Sequence, residues 1–271
     1  MTSVAGHLWS RARAHIKHRG RVIVDPEYRY KVKEKARLES MPRYLPTVTR
    51  LLGRPVEMLD AASFLSMYTE IFIKEHFRFS CDSERPYIID GGANIGLALL
   101  YFKGLYPDSE IVAFEPDESA FAALGRNASG LASVSLIPKA LWSSETSHGF
   151  LRDGADAGRL VRLSEGNTRV RTVRLRDFLG RRVHFLKLDI EGAETEVLGD
   201  CADLLRNVDK LFVEYHSLVG EEQTLNVVTS ILARSGFRIH VHSVLNSRQP
   251  FESRSTYLGM DMQLNIFAFR Q

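Results

Sequence analysis

The sequence predicts a Rossmann-like α/β domain built on a mainly parallel sheet, and three observations favour it. From residue 86 onward, short apolar runs alternate with helical stretches, which is typical of βα units. A glycine-rich turn follows the first of these runs. Acidic residues follow several of the others, at the edge where open α/β sheets bind ligands. At 271 residues, one such domain behind an N-terminal extension fits better than two full domains.

The elements of this domain can be assigned in order along the chain. The expected strands are Tyr87–Asp90, Glu110–Phe114, Ser133–Ile137, His184–Asp189, Lys210–Tyr215, Phe237–His242 and Asn265–Phe269. The expected helices are Ile95–Leu105, Glu118–Asn127, Thr195–Leu205 and Glu222–Ser235. Residues 145–180 interrupt the alternation, and we expect a β-hairpin or an irregular insertion there, with a strand over Thr168–Leu175.

The first sixty residues form a separate region in this interpretation. We expect a basic helical arm at 1–60 and the catalytic domain at 61–271. Good helix formers occupy Arg11–Arg19 and Tyr28–Leu38, and prolines punctuate them. Residues 56–79 carry apolar side chains at roughly helical spacing, which predicts one or two amphipathic helices.

Charge is distributed unevenly along the chain. Residues 1–50 hold 12 Lys and Arg against 4 Asp and Glu, a net of +8, so the remainder carries −5. A basic arm on an acidic body indicates an anionic partner, or else a solvated helical face, and the arm could also build a homodimer interface.

No apolar run reaches the ~18–20 residues of a membrane span. With no recognisable signal peptide and two distant cysteines, Cys81 and Cys201, we expect a cytoplasmic protein with reduced thiols.

The glycine-rich turn is the strongest local signal. An apolar strand ends at Asp90, and the turn into the next helix contains Gly91, Gly92, Asn94 and Gly96. Such a turn lets the backbone approach a ligand closely. The spacing differs from the dinucleotide pattern G-x-G-x-x-G, and a carboxylate at the strand end would repel a pyrophosphate. S-adenosylmethionine, which carries an ammonium group and no phosphate, fits better than NAD, and a tight turn without a ligand is the alternative.

A second acid ends the next strand. Glu115 comes about 20 residues after the glycine turn, where a carboxylate can accept both hydroxyls of a ribose. NAD and S-adenosylmethionine both contain a ribose, so Glu115 alone does not separate them. The alternative is a surface or capping carboxylate, while Asp117 is expected to be a helix N-cap.

Further acids follow the fourth and fifth strands. Asp189 and Glu191 come after the fourth strand, and several close carboxylates raise one another's pKa, hold a metal ion or bind polar substrate groups. Glu194 is also explained as an acid at a helix N-terminus. Glu214 and His216 end the fifth strand on one face. His216 could act as a general base, with an ordinary hydrogen-bonded histidine as the alternative.

Taken together, these segments resemble the FkbM family of S-adenosylmethionine-dependent methyltransferases. The resemblance covers residues 65–270, and the segments that carry it are 89–96 (IDGGANIG), 114–117 (FEPD) with Asn127, 172–179 (TVRLRDFL), 185–194 (FLKLDIEGAE) and 214–216 (EYH). The run at 186–194 is the most specific part. The resemblance implies a seven-stranded sheet with helices on both faces and one antiparallel strand near the C-terminus. It also implies O-methylation of a hydroxyl, on a sugar or a natural product.

These residues give a hypothesis for cofactor binding. S-adenosylmethionine is expected to lie across the first two strand ends, with its methionine part near Asp90 and the glycine turn. Its ribose is expected on Glu115, beside Pro116. Ala140 and Leu141, after the third strand, are expected to flank the adenine.

Catalysis is expected at the acidic residues. His216 or Asp189 is the expected base, with Glu191 and Glu214 orienting the substrate or the base. A divalent metal ion remains open, with Asp189 and its acidic neighbours as ligands. The expected partner is a small-molecule or glycan acceptor, which the basic arm would allow to be anionic.

Three other classes of protein fit the sequence less well. The glycine spacing disfavours a nicotinamide-dependent oxidoreductase. The basic arm favours a nucleic-acid methyltransferase, but the sequence has neither an Asn/Asp-Pro-Pro-Tyr/Phe tetrapeptide nor a Pro-Cys nucleophile. Intact cofactor and acidic motifs argue against a binding module that has lost activity.

Overall fold

The computed structural model describes residues 25–152 and 158–270. By its internal contacts the chain divides into two compact units, 1–66 and 67–271. The sequence-based boundary at residue 60 remains a prediction, and the helix expected over Arg11–Arg19 lies outside the described residues.

The first unit contains a helix and a short hairpin. Helix α1 (Pro26–Glu39) begins behind Asp25, whose carboxylate accepts the Tyr28 N–H at 2.9 Å. Strands β1 (Thr47–Thr49) and β2 (Val56–Met58) pair antiparallel.

The prediction of helix over 56–79 was therefore wrong for its first residues. The side chains of Val56 and Met58 are buried on either side of a half-exposed Glu57, which is the period of two that a strand requires. Helical structure starts only with α2 (Ala61–Tyr68), and a π-helical turn (Thr69–Ile73) continues it.

The second unit contains the predicted alternation of strands and helices. Its strands are β3 (Tyr87–Gly91), β4 (Glu110–Phe114), β5 (Val134–Ile137), β6 (Ala140–Trp142), β7 (Ser147–Leu151), β8 (Arg159–Val161), β9 (Thr168–Arg174), β10 (Phe185–Leu188), β11 (Lys210–Leu218), β12 (Arg238–Leu245) and β13 (Met260–Phe269). Its helices are α3 (Leu97–Leu105), α4 (Glu118–Asn127), α5 (Glu194–Cys201) and α6 (Leu225–Arg234). The helix predicted to reach Leu205 ends four residues early, and a short 3-10 turn (Leu205–Asn207) follows.

Seven strands form the main sheet in the order β12-β13-β11-β10-β3-β4-β5. All neighbours are parallel except β13, which runs antiparallel to both β11 and β12. This confirms a mostly parallel sheet with one antiparallel strand at the C-terminal end. The strand order reverses between β3 and β10, and open α/β sheets bind ligands at such a point, beyond the carboxyl ends of the strands.

The region 145–180 forms β-structure, as expected, but more of it than a hairpin. Strands β6, β9, β7 and β8 form a separate four-stranded sheet. Strand β6 pairs with β9 in parallel, which short-range patterns do not reveal.

Side chains from both faces of the main sheet are buried under helices. On one face, Ile89 and Val213 belong to a cluster that includes Val197 of α5 and Leu232 of α6. On the other face, Phe185 packs against Phe102 of α3, with ring centroids 5.1 Å apart. Burial on both faces explains why these strands are continuously apolar in sequence. No helix of the described chain is long and apolar enough to cross a membrane.

Candidate functional site

The turn after β3 is held between its two neighbouring strands. Gly92 has φ +76°, and a Cβ on it would lie 1.7 Å from the carbonyl oxygen of Asp189. Its N–H donates to the carbonyl oxygen of Phe114 at 3.1 Å. The position therefore admits glycine alone, and it brings the ends of β3, β4 and β10 into contact.

The residues at the start of α3 are held by close packing and by a hydrogen bond from α4. Gly96 has φ +90°, and a Cβ there would lie 2.6 Å from a methyl carbon of Leu124. Asn127 donates from Nδ2 to the carbonyl oxygen of Ile95 at 2.8 Å. The glycine turn and the C-terminal end of α4 thus form one rigid edge of the site.

Glu115 lies at the end of β4 with a buried carboxylate. Its Oε2 accepts the Asn94 N–H and its Oε1 accepts the Asp117 N–H, both at 2.8 Å. Burial raises the pKa of Glu115 to about 7, although these two hydrogen bonds oppose the rise. A carboxylate oxygen has two lone pairs, so each oxygen can accept one more donor. Pro116 follows and is half-buried.

The residues expected at the adenine lie deeper than the sequence suggested. Ala140 and Leu141 belong to β6, and both are buried. A Cβ added to Gly91 would lie 2.7 Å from a methyl carbon of Leu141, so the Leu141 side chain packs directly against the glycine turn. Their contact with an adenine remains a prediction.

Asp90 is fully buried, and its nearest cation is Lys187. Lys187 Nζ lies 3.4 Å from Asp90 Oδ1 and 3.2 Å from Asp189 Oδ2, and it donates to the carbonyl oxygen of Gly92 at 2.8 Å. Burial alone would lower the pKa of Lys187, but the two aspartates more than offset this and raise it. Burial raises the pKa of Asp90, whose oxygens have no well-aligned hydrogen bond within the described residues. The expected contact of Asp90 with the methionine part of the cofactor stays a prediction.

Lys187 was not predicted as a site residue. The available signal was one lysine inside the apolar strand Phe185–Leu188. A lysine is almost never fully buried without a partner, so that position alone indicated a buried acid nearby.

The second half of the site lies beyond β10 and β11. One ligand atom each from Asp189, Glu191 and His216 lie within 4.8 Å of one another. The side chain of His216 is only 1% exposed, against 26% for Asp189 and 18% for Glu191. The structure thus brings together three of the four predicted catalytic residues.

Glu194 orients His216, which the sequence analysis did not assign. Its Oε1 accepts the Ile190 N–H at 3.1 Å and the Gly192 N–H at 3.2 Å. The same oxygen lies 3.1 Å from Nδ1 of His216. We therefore assign the proton of the neutral imidazole to Nδ1. The other nitrogen, Nε2, lies 3.6 Å from Glu191 Oε2 and has no hydrogen-bond partner in the described part of the chain.

This half of the site contains an unusual backbone angle and several shifted pKa values. Glu191 has φ +54°, unusual for a residue with a side chain, and burial raises its pKa. Burial would lower the pKa of His216, but Glu191 and Glu194 raise it well above its usual value. Burial and the charge of Asp189 raise the pKa of Glu214 to about 8, and its Oε1 accepts a hydrogen bond from Gln263.

The two halves form one continuous site at the switch point of the sheet. The Gly92–Asp189 contact joins their backbones, and Lys187 joins Asp90 to Asp189. One half can accept hydroxyl donors at a buried carboxylate, and the other can bind a proton or a cation.

Comparisons with known proteins identify the family of the chain. The family model described as the methyltransferase FkbM domain matches residues 90–239. Methyltransferase 1 of Beauveria bassiana (strain ARSEF 2860) is 28% identical over 205 residues, 65% of this chain and 81% of that protein. The 31-O-demethyl-FK506 methyltransferase FkbM of Streptomyces tacrolimicus is 26% identical over 232 residues, 69% of this chain and 86% of its own.

Among solved structures, the methyltransferase FkbM from Methylobacillus flagellatus KT has a TM-score of 0.47 at 16% identity. The match covers 73% of this chain and 47% of that one, a likeness too distant to bear on function. The match to the family model does show the family, because it covers more than half of the chain, including Glu115, Asp189 and His216. The chain belongs to the FkbM family of methyltransferases.

Proposed function

We propose that this protein transfers the methyl group of S-adenosylmethionine to a hydroxyl of a sugar or of a glycosylated natural product. The observation that carries the proposal is the contact between Gly92 and Asp189. It holds Glu115, a buried carboxylate placed to accept ribose hydroxyls, beside the cluster of carboxylates around His216. Membership of the family supports methyl transfer. The relative from Streptomyces tacrolimicus is named for a 31-O-demethyl substrate, which supports an oxygen acceptor.

The cofactor half fits S-adenosylmethionine better than a dinucleotide. When bound, S-adenosylmethionine supplies an electrophilic methyl group on a sulfonium. Glu115 would accept the two ribose hydroxyls with the lone pairs that its backbone donors leave free. The partly exposed carboxylate of Asp189 would attract an ammonium and repel a pyrophosphate, whereas Asp90 is fully buried beside Lys187.

The acceptor half supplies groups that a weak nucleophile needs. A sugar hydroxyl holds its proton at neutral pH, so transfer requires a proton acceptor or a bound cation. Asp189 is the more exposed carboxylate, and Nε2 of His216 is the nitrogen that Glu194 leaves available. Glu191 and Glu214 would orient the acceptor through hydrogen bonds from its other hydroxyls.

The same charges disfavour a nucleic-acid acceptor. We expect the carboxylates of Asp189, Glu191 and Glu214 to face the acceptor, and a phosphodiester backbone would be repelled there. An anionic acceptor would have to place its charge away from this cluster.

Product analysis tests the acceptor class. The protein is incubated with S-adenosylmethionine and panels of hydroxyl, amine and carboxylic acid acceptors, and products are identified by mass spectrometry. We expect methylated hydroxyl acceptors whose products survive mild alkali, as ethers do and methyl esters do not. Methylation of amines or carboxylates alone would contradict O-methylation of a hydroxyl while leaving the family assignment intact.

A further inference from the structure

The three donor atoms at the acidic cluster have the spacing of a cation site. The ligand atoms of Asp189, Glu191 and His216 all lie within 4.8 Å of one another, and Glu191 Oε2 is 3.6 Å from His216 Nε2. Around an octahedral ion with bonds of ~2.1 Å, neighbouring ligands are ~3 Å apart and opposite ones ~4.2 Å. Small side-chain adjustments would therefore bring all three onto one ion.

Clustered acids are common without a metal, so the independent observation is the imidazole. Nε2 of His216 is buried and has no hydrogen-bond partner in the described ranges 25–152 and 158–270. A buried polar atom without a partner destabilises the folded protein. This atom faces the carboxylate of Glu191, so a cation between them would satisfy both groups.

Glu194 prepares the imidazole for this role. The Glu194 carboxylate accepts a hydrogen bond from Nδ1–H of His216, so in the neutral imidazole that a metal ion would bind, the lone pair lies on Nε2, toward Asp189 and Glu191. Metal-binding histidines almost always donate their other nitrogen to a carboxylate, carbonyl or water in this way. Two backbone N–H groups hold Glu194 in place.

The close approach of four carboxylates in the cluster also favours a cation. Asp189, Glu191, Glu194 and Glu214 lie close enough to affect one another electrostatically. The buried lysine beside them, Lys187, is already shared between Asp90 and Asp189. A divalent ion would compensate the excess negative charge.

We propose that Asp189, Glu191 and Nε2 of His216 bind one divalent metal ion, to which the acceptor hydroxyl would bind and so have its pKa lowered. The hydroxyl proton would then leave to solvent as the oxygen takes the methyl group from the sulfonium, whose S–CH3 bond breaks to release S-adenosylhomocysteine. His216 is then a ligand and not the base. Oxygen ligands suit Mg²⁺ and Mn²⁺, and an imidazole favours Mn²⁺ of the two. The role toward the hydroxyl rests on the proposed function, whereas the ion site itself does not.

The test is a titration with Mn²⁺ followed by electron paramagnetic resonance. The exposed pair His240 and His242, with Nε2 atoms 3.0 Å apart, could bind a metal by itself, so all titrations use the His240→Gln background. We expect one Mn²⁺ per chain, displaced by excess Mg²⁺. Glu191→Gln and His216→Gln should each weaken binding at least tenfold, as should Glu194→Gln through the imidazole. Asp108→Asn, an exposed acid after α3, is the matched control and should bind as the parent does.

Binding of S-adenosylhomocysteine and thermal melting are measured on every variant. Retained cofactor binding with lost Mn²⁺ binding would support the ion site. Absence of Mn²⁺ binding to the parent protein at millimolar concentration, or binding that survives both Glu191→Gln and His216→Gln, would overturn it. Failure of the parent protein to bind S-adenosylhomocysteine would instead contradict the proposed function, so the two failures are distinguishable.

Discussion

The carbonyl oxygen of Asp189 occupies the space that a side chain on Gly92 would need. A Cβ on Gly92 would lie 1.7 Å from that oxygen, and 2.9 Å from its carbon. Backbone atoms of two strand ends, 97 residues apart in the chain, are therefore in direct contact at the centre of the site. This contact sets the distance between the cofactor half and the acidic half.

Replacement of Gly92 should disturb both halves together. Gly92→Ala adds a methyl group that meets backbone and has no flexible neighbour to displace, at a φ that alanine rarely adopts. We expect a loss of about 2 kcal/mol in the free energy of unfolding and loss of S-adenosylhomocysteine binding. Gly125→Ala, with open space around it inside α4, should instead be neutral or stabilising by about 0.5–1 kcal/mol. Chemical denaturation and calorimetry would check both, and an unaltered Gly92→Ala protein would contradict the contact.

Lys187 should be needed for folding only while its partners are charged. Lys187→Met leaves Asp90 and Asp189 facing each other without the cation, and removing one member of a buried ion pair costs about 3–5 kcal/mol. The double variant Lys187→Met with Asp90→Asn should recover much of that loss, since the uncompensated buried charge is gone. A double-mutant cycle in urea measures this. Additive losses in the cycle would show that the two side chains do not interact.

Glu194 should act on turnover rather than on cofactor affinity. Glu194→Gln removes the charge that holds the Nδ1 proton of His216, and such partners typically change activity 10–100-fold. We expect kcat to fall by that factor, with the KM for S-adenosylmethionine unchanged. Glu196→Gln, an exposed neighbour in the same helical turn, is the control and should keep full activity. An equal loss in both variants would mean that Glu194 has no specific role.

The ionisation of Glu115 should make cofactor binding depend on pH. Its pKa is raised to about 7, and ribose hydroxyls donate best to the ionised form. Affinity for S-adenosylhomocysteine should therefore fall about tenfold between pH 8 and pH 6. Glu115→Gln should bind more weakly and without this slope, whereas Glu214→Gln should keep it.

The same shift has a consequence for the unliganded protein. The folded state binds the Glu115 proton more tightly than the unfolded chain, in which the pKa is near 4.5. The free energy of unfolding should therefore decrease as pH rises from 4.5 toward 7, and less so in Glu115→Gln. Equal pH slopes in the two proteins would contradict the raised pKa.

Strand ends were predictable from sequence because buried parallel strands are apolar and stop at a polar residue. Glu110–Phe114 and Glu118–Asn127 have the predicted bounds, and Asp117 caps the helix by accepting the Ser119 and Ala120 N–H groups. The hairpin of Thr47–Thr49 with Val56–Met58 was missed because three-residue strands are too short to show a period.

The partners within the site were harder to predict. Lys187 and Asp90 are almost a hundred residues apart, and although a lysine in an apolar strand indicates a buried acid, neither segment identifies the other as its partner. An acid at a helix N-terminus is common, so Glu194 could be explained without a contact to His216, which lies in the next strand. Local patterns thus identified which segments reach the site, whereas the pairing of side chains depended on the sheet order.

A calorimetric titration of the purified protein with S-adenosylhomocysteine, beside NADH and beside the Glu115→Ala variant, tests the central claim most directly. We predict that S-adenosylhomocysteine binds at one site per chain, that NADH does not bind, and that Glu115→Ala weakens binding by at least tenfold. Preference for NADH, or S-adenosylhomocysteine binding that is unaffected by loss of the Glu115 carboxylate, would contradict the assignment of this site to S-adenosylmethionine.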